Sequence, residues 1–289
     1  MLNRRNALAL LGASAGGLAG GTIVQAAGSG RAAPAAPPDL GDRRQLARAF
    51  RKLAYSLDDA VTFWWMRGTR YGMVDSVATP LWDMHVATWF RTRDLDGDAF
   101  EVTSAGANYY TLPDSTELLE VFSNPYTGAE LPVRYSPSKA SRRVIGPAGE
   151  AIDTGAIPGM QITQRDHVNS GWIEGDDVVI RGDTLIHAEP LDPAAGARAL
   201  HVNDWSTYIG PLAEMADPKS RNVRGAQYFN DVLTWPKWLQ MGDRPGSFLS
   251  RCYGRKVFAY AQMPALWRRL FERVQPEAAR DPAGLLAGA

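Results

Sequence analysis

From Val61 onward the chain is a series of short extended runs, rich in aromatic and β-branched residues and separated by Gly, Asp, Asn and Pro. The clearest pair is DMHVATWFRT and AFEVTSAGANYY, joined through Asp96-Gly97, and a second pair, GWI and VVIRG, is joined by EGDD. Such runs and turns are typical of antiparallel hairpins. Strands do not alternate with long helices, which argues against a doubly wound nucleotide-binding fold. The sequence therefore predicts a mainly β (α+β) fold, an antiparallel β-barrel or strongly curved sheet.

Helical patterns stand at both ends of this β-rich region. The first has apolar residues at helical spacing, at Leu46, Phe50, Leu53, Ala54 and Leu57. Asp42 stands before it at the position of an N-cap. The second follows Pro264 and places apolar residues at Leu266, Trp267, Leu270, Phe271 and Val274. We therefore expect one N-terminal and one C-terminal helix to flank the sheet.

The first 26 residues have the layout of a twin-arginine export signal. Arg4 and Arg5 precede a weakly apolar run from Ala7 to Ala19, and Val24-Gln25-Ala26 offers small residues for cleavage. The run is too short and too rich in glycine to span a bilayer stably. We therefore expect the twin-arginine machinery to export the protein to the periplasm, without stable membrane insertion.

The chain divides into four predicted parts. Residues 1–26 are the signal peptide, and residues 27–39, which are small and rich in proline, are a flexible linker. Residues 40–276 form a single β-rich domain, long enough to bury a core. Residues 277–289 are predicted to be a tail.

Composition excludes several classes of site. The chain has 31 basic and 31 acidic residues, so it lacks the basic excess expected of a nucleic-acid-binding protein. Its one cysteine, Cys252, forms no intramolecular disulfide and no cysteine-rich metal site. The four histidines form neither an H-x-H nor an H-E-x-x-H motif, so no metal ligands are predicted. The sequence identifies no cofactor.

The candidate catalytic residues are chosen by side-chain type and strand parity. Asp83 and His85 alternate on one predicted strand, so both side chains are expected on the same face, where the acid could orient the imidazole. We assign them as an acid–base pair, with Tyr110 and His167 as alternative proton-relay residues.

The candidate ligand-binding residues are mostly aromatic. Nine tryptophans form an apolar surface that must be buried or line a cavity, and Trp89, Trp205, Trp235 and Trp238 are assigned as cavity walls. Residues 124–128, with the sequence Asn-Pro-Tyr-Thr-Gly, predict an Asx turn between the runs ELLEVFS and AELPVRY. Asn124 and Tyr126 of this turn are assigned to ligand binding.

Two of these segments carry a resemblance to a known family. They are the Asn-Pro-x-Thr-Gly turn at 124–128, after the strand bearing Tyr109 and Tyr110, and the Trp-Pro-x-Trp-x-x-Met-Gly segment at 235–242. Together with Gly-Arg-Lys at 254–256 and the closing helix after Pro264, they make the chain resemble the bacterial and fungal family catalogued as domain of unknown function 1838.

The resemblance covers residues 46–276 and has two departures. Phe122 stands where the family has Trp, and Arg134-Tyr135-Ser136-Pro137 stands where the family has a His-x-x-Asn-Asp-Pro run. If that histidine-bearing run serves chemistry in relatives, this chain has lost it. The resemblance implies a shared fold and an exported setting, and it implies no particular reaction.

Three functional hypotheses follow from the sequence. The first is a cofactor-independent enzyme, an isomerase, cyclase or lyase, acting on a hydrophobic or aromatic substrate in an aromatic-lined cavity. The second is a non-catalytic, lipocalin-like carrier of an apolar ligand. The third is a metal-dependent hydrolase or oxidoreductase, which twin-arginine export favours and the missing ligand motif disfavours.

Overall fold

The computed structural model describes residues 36–153, 160–192 and 199–288. The predicted signal peptide, 1–26, and residues 27–35 of the predicted linker lie outside the described residues, so export and periplasmic location stay predictions. None of the described helices has the length and apolar character needed to cross a bilayer.

Twelve strands account for most of the described secondary structure. In chain order, β1 to β12 are Thr62–Val74, Val77–Asp94, Phe100–Thr111, Val121–Ser123, Glu130–Pro132, Ser141–Ile145, Ala151–Asp153, Met160–Glu174, Asp177–Pro190, Leu200–Pro211, Ala226–Leu233 and Ser247–Val257. The α-helices are α1, Arg43–Ala54; α2, Leu212–Ala216; α3, Ala265–Val274; and α4, Pro276–Arg280. Short 3-10 helices lie at Asp96–Asp98, Lys237–Leu239, Tyr260–Gln262 and Gly284–Gly288.

Ten of the strands form one antiparallel sheet in the order β7-β6-β3-β2-β1-β12-β11-β10-β9-β8. The short strands β4 and β5 pair separately, on either side of the turn at 124–128. The large sheet is strongly curled into a half-barrel, which confirms the predicted mainly β fold with a strongly curved sheet. The hairpin predicted at Asp96-Gly97 joins β2 to β3, and the one predicted at EGDD joins β8 to β9.

Helix α1 lies against the concave face of the sheet, which we call the inner face. Leu53 packs with Val178 of β9, and Tyr55, the C-cap residue, packs with Phe100 of β3. The helix therefore contacts both halves of the curled sheet. Its start is as predicted, because the Asp42 carboxylate accepts a hydrogen bond of 2.8 Å from the backbone N–H of the third residue of the helix.

The C-terminal end of α1 is held by two buried side chains from the inner face. The ammonium group of Lys256 donates to main-chain oxygens of the last turn and the cap, those of Lys52, Leu53 and Tyr55. The indole N–H of Trp64 donates to the oxygen of Ala54 at 2.7 Å. These donors satisfy carbonyl groups that the helix leaves without partners.

Helix α3 covers part of the opposite, outer face. Trp267 and Phe271 pack against Trp89 of β2, with ring centroids 6.3 and 5.8 Å apart. The predicted closing helix is therefore present. Residues beyond Pro276, expected to form a tail, instead continue into α4 and a 3-10 helix, and Leu286 is buried in the same cluster as Trp89. Burial of that leucine extends the domain past its predicted end.

Candidate ligand-binding cleft

A cleft of about 920 Å³ lies between the starts of β8 and β10, the end of β9 and the loop that follows β11. Helix α1 packs on the other end of β9, so the cleft occupies the end of the inner face that the helix leaves uncovered. Its lining is apolar at Met160, Ala188, Ala199, Leu200, Trp235, Pro236 and Met241. Four longer polar side chains, Lys237, Gln240, Asp243 and Arg244, lie at its rim.

The loop after β11 is a succession of tight turns. Main-chain hydrogen bonds of 3.0–3.1 Å run from Leu239 to Pro236, from Gln240 to Lys237 and from Arg244 to Met241. Because its backbone groups are paired internally, the loop holds the cleft lining in a defined arrangement.

Asn124 ties this loop to the turn at 124–128. Its amide nitrogen donates to the oxygen of Leu239 at 2.8 Å, and its amide oxygen accepts from the backbone N–H of Tyr126 at 2.9 Å. The Asx turn is therefore formed as predicted, and Gly128 has the positive φ, 71°, that such a turn favours in glycine. The two segments singled out from the sequence thus contact each other.

The wall of the cleft is an aromatic group packed on β1. The ring of Trp235 lies 5.6 Å from Tyr126 and 6.2 Å from Phe248, measured between centroids. A Cβ atom added to Gly72 of β1 would lie 2.5 Å from the Tyr126 ring and 2.9 Å from the Trp235 ring. Only glycine at this position allows both rings to approach the strand.

A buried ion pair lies behind this wall. The guanidinium of Arg70 is 4.4 Å from the ring centroid of Phe248, and its Nη1 is 2.8 Å from Oδ1 of Asp231. The same carboxylate oxygen accepts from the backbone N–H and the hydroxyl of Ser250, both at 2.6 Å. Each charged group is thus compensated, as burial requires.

Asp83 and His85 lie together on the outer face, as their spacing predicts. Asp83 accepts a hydrogen bond of 3.0 Å from the hydroxyl of Thr69 and is 3.6 Å from a guanidinium nitrogen of Arg67. The Nε2 atom of His85 is 3.1 Å from the hydroxyl of Thr111. Both side chains therefore have structural partners, and neither lines the cleft.

Burial dominates the titration of His85. The side chain is 5% exposed, and burial, together with the nearby guanidinium of Arg67, lowers its pKa to about 4, while Asp83 acts in the opposite direction. The imidazole is therefore neutral near pH 7, and it takes part in the structure through its hydrogen bond with Thr111 rather than through a charge.

The two proposed proton-relay residues are placed differently. Tyr110 contacts Trp82 of the inner face at 5.3 Å, and it is the neighbouring residue, Tyr109, that pairs with His85 across the strands. Burial raises the pKa of the Tyr110 hydroxyl. His167 lies on β8, with its side chain outside the described part of the chain. Tyr110 is thus separated from His85 by the sheet.

Of the four tryptophans assigned as cavity walls, Trp235 lines the cleft. Trp89 is fully buried beneath α3, and Trp238 packs on Trp82 at 5.6 Å. Trp205 is 41% exposed. Asn124 supports the cleft from behind, and Tyr126 supports its wall.

The described residues contain no group of three or more His, Cys, Asp or Glu side chains placed to hold a metal ion. Arg70, Asp231, Lys237 and Arg244 were missed from the sequence. The first two are 161 residues apart, and no local pattern connects them.

No protein-family model matches this chain, and no curated protein matches its sequence. The resemblance based on residues 124–128 and 235–242 therefore stays a prediction.

Proposed function

We propose that the protein binds a hydrophobic or aromatic small molecule in this cleft and acts as a carrier for it. The observation that supports the proposal is the apolar, Trp235-walled lining at the end of the inner face. The predicted signal peptide would place this binding in the periplasm.

The shape and chemistry of the cleft fit such a ligand. Small-molecule sites are typically concave, have volumes of roughly 300–1,000 Å³ and are lined mainly by apolar and aromatic side chains with a few polar groups. This cleft has a volume of about 920 Å³, an apolar floor at Met160 and Leu200, and a polar rim.

Binding is better supported than acid–base catalysis. The cleft is lined by neither Asp83 nor His85 nor Tyr110, and His85 is buried among structural partners. A general base must reach the proton that it abstracts, within a hydrogen bond or through one water. Catalysis by these residues therefore stays a prediction, which a turnover assay of the His85→Ala variant would test once a substrate is known.

The binding proposal is tested with N-phenylnaphthylamine, an uncharged dye whose fluorescence rises in apolar surroundings. We expect saturable binding to the wild-type protein. Trp235→Leu should weaken it about tenfold, since an aromatic contact contributes about 0.5–1.5 kcal/mol beyond its buried area. Trp205→Leu, the same substitution at the exposed tryptophan, should leave the affinity unchanged.

A second variant guards against a folding defect in Trp235→Leu. Leu200→Arg places a charge on the floor of the cleft and should abolish dye binding while circular dichroism remains that of the wild type. Equal affinity in the wild type, Trp235→Leu and Leu200→Arg would overturn the proposal.

A further inference from the structure

Two cations at the rim of the cleft have no acidic partner among the described side chains. Lys237 and Arg244 both line the cleft and are exposed, and no ion pair joins either of them to a described carboxylate. The described part of the lining contains one carboxylate, that of Asp243, which is itself engaged in an interaction. Among the described lining residues, the charged groups therefore sum to one excess positive charge.

The loop presents these two cations from adjacent turns. Lys237 begins the 3-10 helix Lys237–Leu239, and the backbone N–H of Arg244 closes the next turn on the oxygen of Met241 at 3.1 Å. The amide of Asn124 holds the oxygen of Leu239 between them. The backbone that carries both cations is thus fixed before a ligand arrives, which lowers the entropic cost of binding.

The cleft therefore has two chemically distinct parts. Its floor, formed by residues such as Met160, Leu200 and Met241, suits an apolar body, while the rim offers an ammonium and a guanidinium in contact with water. A guanidinium donates two parallel hydrogen bonds to carboxylate, sulfonate or phosphate oxygens. Because the rim is exposed, an anion bound there keeps part of its hydration and avoids the full cost of burial.

We propose that the ligand of the cleft is an anionic amphiphile, with an apolar or aromatic body on the floor and an acidic head group held by Lys237 and Arg244. This inference rests on the proposed binding function and specifies the class of ligand.

Two dyes with nearly the same skeleton test the proposal. Anilinonaphthalene sulfonate carries one sulfonate that N-phenylnaphthylamine lacks. We expect the sulfonate to bind about fivefold more tightly at low ionic strength, because two exposed ion pairs each add a modest attraction. The advantage should shrink at about 0.5 M salt, where exposed charges are screened.

The double variant Lys237→Gln/Arg244→Gln should lose this advantage and bind the uncharged dye as the wild type does. A matched control, Lys139→Gln/Arg181→Gln, removes one exposed lysine and one exposed arginine outside the cleft and should keep the advantage.

The outcomes separate the two proposals. Equal affinity for both dyes, or an advantage that survives in Lys237→Gln/Arg244→Gln, overturns the anionic ligand and leaves the carrier proposal standing. Absence of binding by either dye overturns both.

Discussion

Arg70 and Asp231 form a buried ion pair, with Nη1 and Oδ1 2.8 Å apart, between strands β1 and β11 behind the aromatic wall of the cleft. Phe248 connects the pair to that wall, because its ring lies against both the Arg70 guanidinium and Trp235. The charged pair and the aromatic wall of the cleft are therefore parts of one packed unit.

Asp231→Ala should destabilise the protein by about 3–5 kcal/mol, because it leaves the Arg70 charge buried without compensation. The double variant Arg70→Met/Asp231→Ala should cost less than the sum of the single substitutions. Urea unfolding of the two single variants and the double variant measures the three free energies.

The control is Arg273→Ala, which removes an exposed ion pair with Glu120 and should cost no more than about 1 kcal/mol. Strictly additive losses at Arg70 and Asp231 would contradict the assigned pair.

Lys256 should make stability rise with pH. Burial lowers the pKa of Lys256 in the folded protein to about 7, well below the ordinary value for lysine. Above about pH 7, Lys256 is therefore protonated in the unfolded chain but largely deprotonated in the folded protein. The free energy of unfolding should therefore increase between about pH 7 and about pH 9, by at most about 1.4 kcal/mol per unit. The range ends there because burial raises the pKa of Cys252 to about 11, which acts in the opposite direction.

The measurement for Lys256 is urea unfolding at several pH values in this range, for the wild type and Lys256→Met. We expect the variant to be less stable, since the main-chain oxygens of Leu53 and Tyr55 lose the Lys256 donor, and to show a flatter pH profile. The assignment fails if the two profiles run parallel.

His85 should have a similar effect at lower pH. Its folded-state pKa is lowered to about 4, so between about pH 4 and about pH 6.5 the unfolded chain binds more protons at this residue. Its contribution therefore makes stability fall as the pH falls through this range. Carboxylates also titrate in this range, so the contribution of His85 is measured as the difference in unfolding free energy between the wild type and His85→Gln at each pH. A ring that titrates near pH 6.5 in NMR spectra of the folded protein would be inconsistent with the buried position.

Asn124→Asp should loosen the loop that lines the cleft. The substitution keeps an oxygen for the backbone N–H of Tyr126, removes the donor to Leu239, and places a carboxylate against a carbonyl oxygen. We expect a loss of about 1–3 kcal/mol in stability and weaker dye binding. The control is Ser123→Ala, at the residue before Asn124. It removes an exposed hydrogen bond to Glu130 on the paired strand and should cost no more than about 0.5 kcal/mol. If Asn124→Asp keeps the stability and the dye affinity of the wild type, the hydrogen bond from Asn124 to Leu239 does not hold the loop in place.

The fold was predictable where local chemistry determines it. Asp96-Gly97 marks the β2–β3 hairpin, Asp42 begins α1, and the apolar spacing after Pro264 produces α3. The position of α1 inside the curl was not predictable, because it depends on contacts such as that of Lys256 with the last turn, across some two hundred residues. Helix α2, Leu212–Ala216, is too short to show a helical period.

The residues of the candidate site also fall into two groups, those that local sequence marks and those whose position depends on strand register. Asn124 and Trp235 were singled out because turn-forming and aromatic residues mark their segments, and the structure places Trp235 in the cleft lining and Asn124 in a hydrogen bond with the loop that carries it. Tyr110 was assigned as an alternative proton-relay residue. Successive residues of a strand point to opposite faces, and the register of β3 pairs Tyr109, not Tyr110, with His85. A shift of one residue reverses every such assignment, and pattern alone does not determine the register.

The most direct test of the account is to locate the bound dye. Indole N–H signals in NMR spectra report on each tryptophan separately, and N-phenylnaphthylamine should shift the signal of Trp235 while leaving those of Trp89 and Trp205 unchanged. Saturable shifts confined to Trp235 are the predicted result. Shifts at Trp205 with none at Trp235 would place the ligand elsewhere and contradict the assignment of the cleft.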